Sequence, residues 1–167
     1  MMFLLWFAAL AESPCSETFA SSVVSYVPGP GVEPDYANAR NALGRPDFVE
    51  GRGAVSLGNR TAENAVLTVS FDRPIVNGPE EDLYVYERGP SAEPTLLELS
   101  EDGQTWVSVG RIAGSVRAVD LEDTPAAKGV WRFLRLTGVR DGAAGPWAGP
   151  DIDAIGLFSC KAGAPNS

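Results

Sequence analysis

The stretch LELSEDGQTWVSVG, residues 97–110, decides how the rest of the chain is read. Leu97 and Leu99 alternate with Glu98 and Ser100, and Val107 and Val109 alternate with Ser108 and Gly110. Alternation with period two marks strands that put one face on a core. Between them, Glu101-Asp102-Gly103 is turn chemistry, because Gly103 supplies the positive φ that a tight connection needs. The segment is a β-hairpin, and Glu101 and Asp102 are solvated turn residues rather than a catalytic pair.

Outward from the hairpin the same signature recurs. Short runs rich in β-branched and aromatic residues fall at 22–27, 54–57, 64–71, 82–87, 95–100, 105–112, 117–121, 131–139 and 152–159. Gly, Pro, Asn and Asp separate them, as in PGPG (28–31), DRP (72–74), NGPEE (77–81), RGPSAEP (88–94) and RDGAAGPWAGP (140–150). No repeat, heptad or long helical period is present. Eight or nine short strands with such turns predict an all-β, antiparallel sandwich or barrel. In DLYVYE (82–87), Leu83 and Val85 share one face, and Asp82, Tyr84 and Tyr86 the other. Tyr84, Tyr86 and Glu87 are read as a packed sandwich face, with a ligand-lining face as the alternative. Trp106 and Trp131 lie within strands and are expected in the core.

A chain of 167 residues with 44% apolar content suits one domain with a full core. It carries 22 acidic and 13 basic residues, a net charge of −9. The basic residues are eleven Arg and two Lys, scattered singly, so neither nucleic acid nor an anionic membrane surface is an expected partner. There is no histidine. That removes Ser-His-Asp and Cys-His nucleophile systems, His-bound zinc and the two-His-one-carboxylate iron site. Any catalysis would rest on carboxylates, Tyr, or a metal held by oxygen.

The opening MMFLLWFAALA, residues 1–11, is an apolar run ending in an A-x-A pattern, and is expected to be a signal peptide. It lacks a basic residue at its start and is shorter than the roughly 20 residues of a bilayer span. Its removal would leave Glu12 first and no segment expected to enter a membrane, in an extracytoplasmic protein: secreted, periplasmic or at the cell surface. An oxidising compartment lets the two cysteines, Cys15 and Cys160, pair as a disulfide. The pairing requires the first and last strands to lie side by side.

The order VVSYVPG, NALGRPD, VSLG, LTVSF, NGPEEDLYVYE, SEDGQTWVSVG, RFLRLT, DIDAI resembles discoidin-like domains, the coagulation factor type C or galactose-binding-like domains of bacterial exported cell-surface proteins. The hairpin and RFLRLT carry most of the likeness, which covers roughly residues 22–160. The resemblance implies a jelly roll of about eight strands in two antiparallel sheets, with adjacent termini. Residues 12–21 then form an N-terminal segment holding Cys15, and 161–167 a flexible tail. The resemblance also implies a ligand-binding role, often toward carbohydrate, and a structural calcium ion (Ca2+). Gly44 stands where many such domains carry Asp, and Phe48 is the nearest aromatic to the expected loop Trp.

Carried residue by residue, the resemblance assigns the metal to Asp153 at the head of the last strand, Asp47 in the NALGRPD loop and the Leu43 carbonyl, with Asp151 as a further ligand. Calcium needs six to eight oxygens, which carboxylates and loop carbonyls supply. The alternative is that Asp151 and Asp153 accept hydrogen bonds from loop amides and cap the turn. Ligand contacts are expected from the loops at 28–36, 45–53, 88–94 and 140–150, through Tyr36, Phe48 and Trp147. A glycosidase needs paired carboxylates across a deep cleft, for which one small sandwich has little room. The expected function is therefore a non-catalytic exported module recognising a glycan or cell-surface component. The alternative is a structural module of the envelope, with a protein partner and no sugar site.

Overall fold

The computed structural model describes residues 15–48, 53–61, 65–89, 92–114, 117–144 and 149–160. Ten strands follow in chain order: β1 (Cys15–Phe19), β2 (Ser22–Val27), β3 (Val55–Ser56), β4 (Val66–Ile75), β5 (Leu83–Glu87), β6 (Ala92–Ser100), β7 (Val107–Gly114), β8 (Ala118–Val119), β9 (Trp131–Gly138) and β10 (Asp151–Cys160). Two 3₁₀ turns, Pro34–Tyr36 and Ala39–Ala42, lie between β2 and β3. Among the described residues no helix is long and apolar enough to cross a membrane. The expected signal peptide and tail lie outside the described residues.

All strand pairs are antiparallel, and they form two sheets. One runs β1-β10-β5-β8, with β3 also on β10; the other runs β2-β4-β9-β6-β7. Alternation decides what each strand buries. Leu67 and Val69 of β4, Leu97 and Leu99 of β6, and Leu134 and Leu136 of β9 face Leu83 and Val85 of β5 and Ile155 and Leu157 of β10 in one core. This is the predicted sandwich, with ten strands rather than about eight.

Two strand bounds were not expected. A strand forms at Cys15–Phe19, outside the predicted runs, and it pairs along the second half of β10 with Cys15 and Cys160 as Cα partners, so the first and last strands lie side by side as the expected disulfide requires. β4 does not stop at Asp72-Arg73-Pro74 but continues to Ile75, across an irregularity in its pairing with β9 between Ser70 and Ile75. Proline is tolerated where a ladder is interrupted in this way.

The 97–110 hairpin forms with β6 and β7 as its arms. Asp102 accepts the amides of Gln104 and Thr105 at 2.8 Å each, and Gly103 adopts φ +75°. Trp131 packs against the core and donates its indole N–H to the Ala126 carbonyl at 2.9 Å. Trp106 corrects the reading that placed it inside. It is only partly buried and lies outside the core cluster, with the Arg135 guanidinium carbon 4.1 Å from its ring centroid. Tyr84 and Tyr86 lie on the solvent side of their sheet, whereas Glu87 shares the buried side with Leu83 and Val85.

Candidate functional site

The antiparallel pairing gathers one set of connections at a single end of the sandwich. The end of β2, the region around β3, the β5–β6 connection and the approach to β10 interlock through backbone hydrogen bonds. Gly29 donates to Leu57 at 2.9 Å, Leu57 to Pro150 at 2.8 Å, and Arg60 to Ala143 at 3.0 Å. Gly149, at φ +125°, lies so close to Gly58 that a Cβ there would come within 2.0 Å of its carbonyl oxygen. Only glycine permits that crossing.

Arg88 follows directly after β5, and its amide donates to the Asp151 carbonyl at 2.9 Å. Its side chain then meets two of the predicted ligand residues. The guanidinium carbon lies 4.9 Å from the Phe48 ring centroid and 6.0 Å from that of Tyr36, and one guanidinium nitrogen donates to the Tyr36 hydroxyl at 2.9 Å. Tyr36 and Phe48 thus converge on one cation that sequence reasoning did not single out. Trp147 lies outside the described residues.

Asp151 and Asp153 do not act together, because the last strand is irregular where they stand. On β5, Glu87 and Tyr86 are consecutive, yet they pair with Ile152 and Ala154. Asp153 is therefore the extra residue of a β-bulge, which re-aims its side chain. Its Oδ1 accepts the Asp47 amide at 3.3 Å, and the Phe48 amide also hydrogen-bonds to it. Burial pushes the Asp153 carboxyl up, against the lowering effect of those two amides. Asp151 pairs instead across to Ser56 of β3, whose hydroxyl bonds its carboxylate, with Arg88 nearby. Burial again raises its pKa. Tyr26 donates to the Ser56 carbonyl at 2.6 Å and is pushed up to about 12 by burial and by Asp151.

Calcium requires oxygens directed inward, and the Asp153 carboxylate instead receives two N–H groups. Leu43, whose carbonyl is the expected backbone ligand, closes the second 3₁₀ turn, its amide donating to the Arg40 carbonyl. Among the described residues no group of three His, Cys, Asp or Glu side chains is placed to hold a metal ion.

A second set of charges supports the loops from beneath. Glu87, only 7% exposed, accepts the Glu93 amide on both carboxylate oxygens at 2.9 and 3.1 Å. Burial, above all, pushes its carboxyl up to about 8. Glu93 accepts the Gly149 amide at 2.8 Å and pairs with Arg60 at 3.5 Å, and Arg60 pairs with Asp141 at 3.2 Å. Arg117 clamps the Glu87 and Gly89 carbonyls at 2.6 and 2.7 Å. No protein-family model matches the chain, and no curated protein matches it in sequence.

Proposed function

We infer that the protein is an exported, non-catalytic module that binds a glycan or cell-surface component on the loops at this end of the sandwich. The observation that carries the reading is the Arg88 clamp, with Tyr36 and Phe48 drawn to one guanidinium beside Asp151. Such a group suits a sugar. The pyranose C–H face packs on an aromatic ring, and the hydroxyls exchange hydrogen bonds with a guanidinium, a phenol and a carboxylate. Arg88 is already oriented by Tyr36, so little side-chain freedom is lost on binding. Hydrolysis fits less well, because Asp151 and Asp153 are engaged with separate partners rather than facing each other across a cleft.

A glycan array probed with wild type, Phe48→Ala, Arg88→Ala and Trp147→Ala tests this reading. Wild type is expected to select a subset of sugars. Phe48→Ala and Arg88→Ala are each expected to lose at least about tenfold in affinity, roughly 1.4 kcal/mol, with an unchanged circular dichroism spectrum. A folded wild type that binds no sugar would favour the structural module. One observation speaks for that second reading. Phe19, Tyr86, Tyr84 and Phe158 form a chain of half-buried rings, with neighbouring centroids 4.5–6.1 Å apart, on the outer face of the first sheet. Aromatic rings are enriched where proteins meet.

A further inference from the structure

The chain is strongly acidic and its arginines are scattered in sequence, yet the fold collects three of them on the outer face of the second sheet. The register builds that face in rows across all five strands. One row reads Val27, Val66, Thr137, Leu96, Arg111, and the next reads Ser25, Thr68, Arg135, Glu98, Ser108. Over the first row lies a groove of about 560 Å³. Val66, Thr137 and Leu96 form its floor, with Arg135 and Glu98 on one side and Val139 and Arg140 on the other. Its volume falls within the range of small-ligand sites.

The three arginines differ in what they already hold. Arg135 donates to Glu98 at 2.7 Å and covers Trp106, so its charge is matched and its position fixed. Arg140 and Arg111 are exposed, and among the described residues neither makes an ion pair. The nearest acid in sequence to Arg140, Asp141, is taken by Arg60. The floor is apolar and open, with Leu96 42% exposed.

We propose that this groove is a second binding site, for a short acidic oligosaccharide whose carboxylates meet Arg140 and Arg111. Pyranose C–H faces lie on Leu96 and Val66, and hydroxyls reach Thr137 and Glu98. An extended peptide suits the groove less well. The floor is the middle of a sheet, so its backbone N–H and C=O groups already pair within the ladders, and a peptide strand needs a free edge. A long polyanion such as nucleic acid, whose charge runs far past two cations, is disfavoured by the net charge of −9. The groove borders the 140–150 loop at Arg140 but uses none of Arg88, Tyr36 and Phe48.

Isothermal titration with a tetragalacturonate and with neutral cellotetraose tests the proposal on the full chain. Wild type is expected to bind the acidic probe, more weakly as salt rises, and at least tenfold more tightly than the neutral one. Arg140→Glu should lose at least tenfold, and Arg111→Glu with Arg140→Glu should abolish binding at unchanged melting temperature. Phe48→Ala should leave it intact. Three results would overturn the proposal: equal affinity for both probes, no binding by wild type, or loss in Phe48→Ala with retention in the arginine variants. The last would move the acidic ligand to the loops, and a failure of the loop site alone would leave this groove standing.

Discussion

The two ends of the sandwich hold their turns with the same bond and opposite electrostatics. At the hairpin end, Asp102 accepts the amides of Gln104 and Thr105 in contact with water, and those bonds hold its carboxyl down to about 2. At the loop end, Glu87 accepts the Glu93 amide beneath the surface, and burial pushes its carboxyl up to about 8. Glu93, Asp151 and Asp153 are raised for the same first reason. A carboxylate bonded to amides stabilises a turn when water also reaches it, and costs stability when water does not. The hairpin end is thus built for stability, whereas the loop end gives some up to keep several loops in fixed positions.

The largest way to break this contrast lies at the hairpin end, where β1 meets the end of β10. Directly opposed residues of an antiparallel pair have Cα atoms about 4.5–5.5 Å apart, within the roughly 4.4–6.8 Å that a disulfide spans. The Cys15–Cys160 register therefore suits the proposed bridge. Replacing both cysteines by Ser is expected to lower stability by about 2–5 kcal/mol in denaturant unfolding, while ligand binding at the Arg88 loops stays unchanged. Two reactive thiols on the unreduced protein, or a double variant as stable as wild type, would remove the bridge.

The pH dependence separates the ends next. Glu87 has a folded pKa above its ordinary value of 4.5, so its folded state holds a proton that the unfolded chain releases. Its contribution is fully present below about pH 4.5 and is lost as pH rises toward 8, at up to about 1.4 kcal/mol per unit. Asp102 behaves in reverse, its contribution being present above 3.8 and lost as pH falls toward 2. Thermal melts of Glu87→Gln should therefore lose part of the decline between pH 5 and 8. Melts of Asp102→Asn should lie below wild type at pH 6 and converge with it near pH 2. Identical slopes for Glu87→Gln and wild type would show that Glu87 is charged in the folded protein.

How much of this was legible in the sequence follows the range of the forces involved. The hairpin was legible because alternation and Gly103 are local, and the strand runs at 22–27 and 131–139 were legible for the same reason. β1 was not, because Cys-Ser-Glu-Thr-Phe alternates weakly and is a strand only by virtue of β10 beside it. Tyr36 and Phe48 could be placed in loops of one end, but their meeting on Arg88 depends on tertiary distances between residues 12 and 52 positions apart. Asp151 and Asp153 looked equivalent because spacing two implies one face in a regular strand. The bulge that separates them is a property of the pairing with β5, which no single strand encodes.

That bulge supplies the smallest and most specific test. If Asp153 serves to hold the 47–48 amides, Asp153→Ala leaves two partly exposed donors without that acceptor and costs about 0.5–1.5 kcal/mol. Phe48 sits on the loop so released, so ligand affinity should fall in Asp153→Ala although Asp153 itself touches no ligand. A merely structural role remote from the site would lower the melting temperature and leave the affinity of the remaining folded protein unchanged. Calcium separates the two readings of the same carboxylate. With Asp153 occupied by N–H groups, the wild-type melting temperature should be the same in calcium and in chelator. A calcium-dependent rise that disappears in Asp153→Ala would mean that the Asp47 peptide turns its amide away and the carboxylate becomes a metal ligand after all. The loop end would then owe its order to a cation rather than to the bonds that Asp102 also uses at the opposite end.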